Sequence, residues 1–264
     1  MSTLTAQGRA IQAFFTTVGE AVARWTRLDY AGPESLPPAP ALLVANHGFG
    51  GIFDLNAFVI AALANRLRPD EDAQITVLTH QLAWTLGVGA VLEPAGFRPA
   101  SREAALEGLA AGHYVLVMPG GDLDAGKDFA HRNEIVFGGR TGYAGIAIDA
   151  DVPIIPVVVS GAGETLLVLN DGQRLAQVLG LPKLARMKTM PISLSIPYGL
   201  SVGVAGMLPY LPLPAKMRAR VLDPITPRPD EDNEALAARV HGAMSAAMAE
   251  LTDGRLPFLG TKVR

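Results

Sequence analysis

The stretch ALLVANHGFGGIFDLNAF, residues 41–58, decides the fold. Its first five residues form a continuous apolar run, which predicts a buried strand. Glycines then mark a turn, and Asp54 precedes apolar residues at helical spacing. This pattern predicts a helix over 55–66 with Asp54 as its N-cap. A buried strand that leads through a turn into a helix is the repeating unit of an α/β protein.

Other segments repeat this alternation. Strands are predicted at 75–80, 113–121 and 152–161, and helices at 101–112, 141–150 and 229–251. Continuous apolar strands separated by helices predict a mostly parallel central sheet flanked by helices. Ligands of such sheets bind beyond the carboxyl ends of the strands. Because Asn46-His47 and Pro119-Gly120-Gly121 both follow strands, we expect them on one rim of the sheet.

The N-terminal region predicts an amphipathic helix. Residues 8–28 carry apolar side chains three and four positions apart. This stripe either packs on the domain core or enters a bilayer interface. Four prolines between residues 33 and 40 predict a stiff connector. We therefore divide the chain into an N-terminal helical segment, 1–32, and one α/β domain, 33–264.

Composition excludes several kinds of site. The 264 residues include no cysteine, which rules out disulfides, thiolate metal ligands and a cysteine nucleophile. The net charge of −3 gives no reason to expect a nucleic-acid partner. The histidines lack ligand-like spacing, so we expect no metal site. The GxSxG, Walker A and GxGxxG motifs are all absent from the sequence.

The sequence also bears on membrane contact. No apolar run is long enough to span a bilayer, and the N-terminus does not read as a signal peptide. Residues 191–214 carry no charge and are flanked by basic residues on both sides, which suits an anionic bilayer surface. The alternative is buried strands with an ordinary loop. We expect a cytoplasmic protein at the inner face of the membrane, attached through 8–28, through 191–220 or through both.

His47 and Asp54 form the first candidate site. A histidine that leaves a hydrophobic strand and enters a glycine-rich turn is placed to meet a ligand. If Asp54 holds one imidazole nitrogen, the other can act as a base near neutral pH. The alternatives are a structural histidine for His47 and a simple helix cap for Asp54.

Residues 118–142 form the second candidate site. Gly120 and Gly121 offer backbone N–H groups to an anion, and basic residues lie nearby in sequence. Gly138-Gly139-Arg140 leads into the helix predicted at 141–150, whose N-terminus favours anions. The alternative is an exposed loop of mixed charge. The basic residues concerned are Lys127, Arg132 and Arg140, and the acidic ones are Asp122, Asp124, Asp128 and Glu134.

Four blocks of the chain, in order, resemble those of glycerolipid acyltransferases of the lysophosphatidic acid acyltransferase type and their diacylglycerol-acyltransferase-like relatives. They are VANHGFGGIFD (44–54), FRPASREAA (97–105), VLVMPGGDLDAGK (115–127) and GIAIDADVPIIPVVVSGAGET (145–165). Two features depart from the family pattern. Six residues separate His47 from Asp54 where four are usual, and the third block reads Pro-Gly-Gly-Asp instead of Pro-Glu-Gly-Thr-Arg.

The resemblance implies a glycerol-3-phosphate acyltransferase-like fold and a one-step acyl transfer. His47 takes the proton of an acceptor hydroxyl, Asp54 stabilises the imidazolium, and N–H groups near Gly48 or Gly120 stabilise the oxyanion. No cofactor is implied, because acyl-CoA or acyl-carrier protein serves as co-substrate. The acceptor is a lysophospholipid or another glycerolipid or lipid alcohol. Substrate binding is assigned to Asn46, Arg102 (with Arg98 the weaker match), Gly120, Gly121, Lys127 and Arg140.

Two other functions stay open from the sequence. One is a non-catalytic lipid-binding protein of the same fold, in which the wider His47–Asp54 spacing has separated the pair. The other is a thioesterase or esterase that uses His47 with water. The sequence does not predict the oligomeric state.

Overall fold

The computed structural model describes residues 5–49, 54–68, 73–85, 87–184, 187–203, 208 and 210–260. The strands are β1 (Asp29–Ala31), β2 (Ala41–Ala45), β3 (Ile75–Thr79), β4 (Phe97–Pro99), β5 (Tyr114–Val117), β6 (Ile154–Ser160), β7 (Leu167–Asn170), β8 (Ile192–Ser195), β9 (Gly199–Val202) and β10 (Arg218–Val221). The helices are α1 (Ala6–Trp25), α2 (Leu55–Leu67), α3 (Gln81–Thr85), α4 (Val88–Leu92), α5 (Arg102–Ala110), α6 (Gly121–Ala125), α7 (Gly142–Ala150), α8 (Gln173–Val178), α9 (Leu181–Leu184) and α10 (Asn233–Thr252).

A seven-stranded sheet in the order β1-β10-β6-β2-β5-β3-β4 forms the centre of the protein. The five strands from β6 to β4 are parallel, which confirms the predicted mostly parallel sheet. β10 runs antiparallel to β6. The reason is that the chain leaves β6 at the carboxyl rim, and the connection to β10 does not return to the opposite end of the sheet. A strand that starts at that rim must run the other way.

Helices cover both faces of this sheet. Side chains of the central strands alternate between two apolar clusters, because successive residues of a strand point to opposite faces. Leu42 and Val44 of β2 pack with α5, α7 and α10. Leu43 packs on the other face with α2. β2 and β6 are buried along their whole length, so the turns that follow them begin at fixed positions in the core.

The amphipathic helix α1 packs on the domain. Phe15 stacks on Phe58 of α2 with ring centroids 5.1 Å apart. Gly19 lies so close to the Phe58 carbonyl that a Cβ there would sit 2.3 Å from its oxygen. The stripe predicted at 8–28 therefore meets the core, and β1, which follows it, is an edge strand of the main sheet. The division of the chain at residue 32 falls directly after that strand.

A second sheet, β7-β8-β9, is antiparallel, and β8 and β9 lie where the sequence left strands open as the alternative. It occupies the part of the chain between β6 and β10, on the carboxyl rim of the main sheet. Its strands fall partly within the charge-free segment 191–214, of which residues 204–207 and 209 lie outside the described residues. Within the described part of the chain, no helix is both long enough and apolar enough to cross a membrane.

Candidate active site

His47 and Asp54 meet at the carboxyl end of β2. The His47 Nδ1 atom lies 2.6 Å from Asp54 Oδ2. The second carboxylate oxygen of Asp54 accepts hydrogen bonds from the N–H of Asn56 at 2.8 Å and of Gly48 at 3.2 Å. Asp54 is therefore both the N-cap of α2 and the partner of His47. The sequence left two roles open for Asp54, pairing with His47 and capping of the helix. The structure has both, since a carboxylate has two oxygens.

The wider His–Asp spacing does not separate the pair. Residues 50–53, which include two of the turn glycines, lie outside the described residues, but both ends of the turn are held firmly. The start of α2 holds Asp54, and its side chain is almost fully buried. His47 keeps part of its ring accessible at 18% of its side-chain surface. With Nδ1 on Asp54, Nε2 is the nitrogen left for a substrate.

Asn46 faces the interior of the sheet. Its side-chain amide donates to the Val159 carbonyl at 3.0 Å, and its Oδ1 accepts from the Val159 N–H at 2.9 Å. The backbone carbonyl of Asn46 accepts from the Asn56 side chain at 3.0 Å. These bonds tie the end of β2 to β6 and α2. The amide of Asn46 is buried and bonded to the backbone here, and its substrate contact stays a prediction.

Asp124 is a residue of the site that the sequence analysis did not single out. Its carboxylate is fully buried in α6 and accepts from the backbone N–H of His47 at 2.6 Å. It also accepts from Lys127 Nζ at 2.6 Å and from the Val136 N–H at 3.0 Å. The carboxylate thus fixes the backbone of the turn after β2 at His47. Gly120 makes this possible, since a Cβ there would lie 2.2 Å from that of Asp124.

The surroundings of His47 set its protonation. Burial lowers the pKa of His47, but the hydrogen bond and charge of Asp54, together with the charge of Asp124, more than offset it. The positive charge of Lys127 acts in the lowering direction. The net result is a pKa raised above the ordinary histidine value of 6.5. An imidazole whose protonated form is favoured in this way suits a general base that takes up a proton.

The predicted cations are largely engaged within the protein. Lys127 is buried and bonds Asp124 and the Glu134 carbonyl. Arg140 donates to the Pro119 carbonyl at 2.6 Å and lies 3.4 Å from Asp122. Arg102 pairs with Asp149 of α7. The charge of Lys127 is paired with a buried carboxylate here, and its substrate contact stays a prediction.

The remaining cations named from the sequence also have intramolecular partners. Arg132 lies over the Phe129 ring at 4.1 Å and 3.5 Å from the buried Glu164. Arg98 donates to the carbonyls of Glu93 and Phe97. Gly138 to Thr141 instead line a cleft of about 290 Å³ between the start of α7 and α10. Arg140 is 36% exposed at this cleft, and an anion site there stays a prediction.

An aromatic cluster borders the histidine. Phe49, two residues after His47, is buried with Leu166 and Val168, and Tyr210 packs against it with ring centroids 6.4 Å apart. The Tyr210 hydroxyl lies 3.3 Å from Thr165 Oγ1. Burial raises the pKa of Tyr210 well above its usual range, so the phenol stays neutral. The cluster gives the turn after β2 an apolar wall on the side of the small sheet.

Comparisons with known proteins show the family of the chain. The family model described as Acyltransferase matches residues 27–160, about half of the chain. The match begins just before β1 and ends with β6, so it contains His47, Asp54 and Asp124. It confirms the resemblance drawn from the sequence blocks.

The chain is also similar to curated proteins described as "DGAT1/2-independent enzyme synthesizing storage lipids". It is 28% identical to the Gallus gallus protein over 227 residues, which are 86% of this chain and 60% of that protein. It is 29% identical to the Homo sapiens protein over 223 residues, 84% of this chain and 61% of that protein. The chain therefore spans about 60% of the length of these relatives.

Among solved structures, the chain is similar to the 1-acyl-sn-glycerophosphate (LPA) acyltransferase PlsC from Thermotoga maritima. The TM-score is 0.55 with 15% sequence identity, over 92% of this chain and 81% of that one. At this identity the likeness concerns the fold.

Proposed function

Because the chain belongs to the acyltransferase family, we propose that it is an O-acyltransferase acting on lipids. It moves a fatty acyl group from a thioester, acyl-CoA or acyl-carrier protein, to the hydroxyl of a lysophospholipid or another glycerolipid or lipid alcohol. The observation that carries this proposal is the 2.6 Å contact between His47 Nδ1 and Asp54 at the open rim of the sheet. It orients Nε2 as the base.

The reaction proceeds through one tetrahedral intermediate. The acceptor oxygen attacks the thioester carbonyl carbon while its proton passes to His47 Nε2. The carbon–sulfur bond then breaks, and the thiolate takes the proton from the imidazolium, which leaves an ester and a free thiol. Asp54 and Asp124 favour the imidazolium while it exists, since each places a negative charge near the ring. A base placed in this way contributes about 10²–10⁴-fold to the rate.

The proposed setting is the membrane. Both the acceptor and the acyl chain are amphiphiles, and the described part of the chain holds a concentrated set of exposed apolar side chains between β6 and β10. We place the protein at the cytoplasmic face of a membrane, bound to its surface. No metal or cofactor takes part in the proposed step.

The experiment is an acyl-transfer assay with purified protein. Thiol release from an acyl-CoA is measured with a panel of lysophospholipids, monoacylglycerol, diacylglycerol and long-chain alcohols. His47→Ala is compared with His131→Ala, because His131 has the same 2.6 Å contact to a carboxylate, that of Asp128, but lies exposed in a loop. We expect acceptor-dependent release that is lost in His47→Ala and kept in His131→Ala.

Two outcomes would overturn the proposal. Thiol release that needs no acceptor would identify a thioesterase that uses His47 with water. Lipid binding without turnover in any combination of donor and acceptor would identify a non-catalytic lipid-binding protein.

A further inference from the structure

The small sheet has its apolar side chains on the outside. In β8, with the sequence Ile-Ser-Leu-Ser, Ser193 and Ser195 are buried, whereas Leu194 is 46% exposed. In the neighbouring strand Leu200 is 67% exposed. Leu200 and Leu194 are directly paired, and Leu194 is paired in turn with Leu167 of β7. A sheet at a water-facing surface normally buries its apolar side and exposes its polar side. This sheet does the reverse.

The exposed apolar residues are concentrated around this sheet. Of the sixteen large hydrophobic side chains that are exposed among the described residues, eleven lie within residues 165–215. They are Leu169, Val178, Leu179, Leu184, Leu194, Ile196, Tyr198, Leu200, Val202, Leu208 and Leu211. Scattered exposed leucines need no explanation, but a concentration of this kind marks a surface that meets something apolar.

The charge of the same segment differs in sign from that of the whole chain. Residues 165–215 contain four basic residues and one acidic residue, a net charge of +3, although the complete chain has a net charge of −3. The basic residues are Arg174, Lys183, Arg186 and Lys188, and the acidic one is Asp171. An apolar surface accompanied by positive charge is complementary to a bilayer that contains anionic lipids.

We propose that the outer face of the β7-β8-β9 sheet, with Arg174, Lys183 and Lys188, docks on an anionic lipid bilayer. The inference rests on the proposed function for its meaning, because it names the surface from which a lipid acceptor reaches His47. The competing surface, α1, already packs its apolar stripe on α2. A second copy of the chain is a poorer occupant, since a symmetric dimer through this face would bring two positive segments together.

The position of the sheet connects docking to catalysis. Its inner face contributes Val168, which packs with Phe49, two residues from His47. Ser193 and Ser195, on the same inner face, have hydroxyl groups that are buried and lack a hydrogen-bond partner among the described residues. The docking face therefore lies one layer away from the turn after β2, and stacked layers are about 10 Å apart. Polar groups and an apolar wall lie on that layer's inner side.

The test is binding of the full chain to vesicles, followed by flotation. Vesicles of phosphatidylcholine alone are compared with vesicles that also contain phosphatidylglycerol. The double variant Leu194→Glu, Leu200→Glu removes the apolar face. Leu259→Glu is its matched control, because Leu259, at 58%, has an exposure between those of Leu194 and Leu200 but lies outside the segment, and Phe14→Glu tests the exposed side of α1. Circular dichroism and thermal unfolding of each variant establish that the fold is retained.

We expect the wild-type chain to bind anionic vesicles more tightly than neutral ones. The double variant should lose affinity by about tenfold for each leucine, as expected for loss of a partly buried leucine side chain. Leu259→Glu and Phe14→Glu should bind like the wild type. Replacing Lys183 and Lys188 by Gln should remove the preference for anionic vesicles.

Wild-type affinity in the double variant, or a loss caused by Phe14→Glu alone, would overturn the inference. A chain that dimerises through the leucines and binds no vesicles would overturn it as well. The result is independent of the proposed function, because His47→Ala should bind vesicles like the wild type. Failure of acyl transfer with intact vesicle binding would refute the function and leave the docking surface in place.

Discussion

Replacing Asp54 by Asn separates the two tasks of this residue. The Asn side chain still offers an oxygen to the first N–H groups of α2, and Asn is as good an N-cap as Asp. The variant should therefore keep the helix cap and fold. What it loses is the negative charge 2.6 Å from His47 Nδ1. Asp54→Ala, which removes the cap as well, should cost about 1 kcal/mol of stability.

The magnitude follows from the bond that is lost. A hydrogen bond to a charged group contributes about 1.5–3 kcal/mol. At about 1.4 kcal/mol for each tenfold, this corresponds to a decrease in kcat/KM of about 10- to 150-fold. The loss is smaller than that expected for His47→Ala, which removes the base and its contribution of about 10²–10⁴-fold.

The pH dependence gives the prediction a second readout. His47 must be unprotonated to accept a proton, so activity rises as the pH increases through its pKa. Asp54 raises that pKa through its hydrogen bond and its charge. Asp54→Asn removes both contributions, so the acidic limb of the pH–rate profile should move to lower pH. Asp128→Asn, which disrupts the exposed pair with His131, should leave the profile unchanged.

The assay is acceptor-dependent thiol release across a range of pH, with wild type, Asp54→Asn, His47→Ala and Asp128→Asn in parallel. The reasoning would be refuted by a folded Asp54→Asn variant with unchanged kcat/KM and an unmoved acidic limb. In that case the contact between Asp54 and His47 would serve the fold alone.

Asp124→Asn removes a charge that raises the pKa of His47, and Lys127→Gln removes one that lowers it. The acidic limb should move to lower pH in the first variant and to higher pH in the second. Shifts in the same direction would contradict the roles given to this buried pair. Gly120→Ala places a Cβ 2.2 Å from that of Asp124 and should cost about 1–3 kcal/mol in urea unfolding. Gly142→Ala, where a Cβ meets nothing within 4 Å, is the control, and an equal loss in both would refute the steric argument.

The parts of the fold that depend on local sequence were predictable. The apolar run of β2, the cap of α2 at Asp54 and the cap of α5 at Ser101 each rest on residues close together in the chain. The pairing of His47 with Asp54 belongs to the same class, because a strand, a turn and a helix start bring the two side chains together. Such local patterns predict the structure correctly, since the tertiary packing favours the same strands and helix starts.

Other features depend on which elements become neighbours. Asp124 reads as one acidic residue in a loop of mixed charge, and its role appears only when β2 and β5 lie side by side. From the sequence alone Lys127 is a candidate ligand, because its burial results from packing that the sequence does not show. The reversal of β10 likewise follows from the path of the chain across the rim rather than from its own sequence.

The small sheet shows a different limit. The alternation in β8 and β9 is that of a strand with one apolar side, but the period of two does not say which side faces the protein. A sheet with its leucines inside would have been the ordinary expectation. The structure places the serines inside and the leucines outside, which is an arrangement that water alone would not favour.

The central claim is that His47 transfers an acyl group from a thioester to a lipid hydroxyl. It is tested most directly by following the ester itself, with an acyl-CoA labelled in its acyl chain and the acceptor that gives the fastest thiol release. The account predicts labelled ester that forms only with acceptor present and falls by about 10²–10⁴-fold in His47→Ala. Labelled free fatty acid in place of ester, or undiminished ester from the variant, would contradict it.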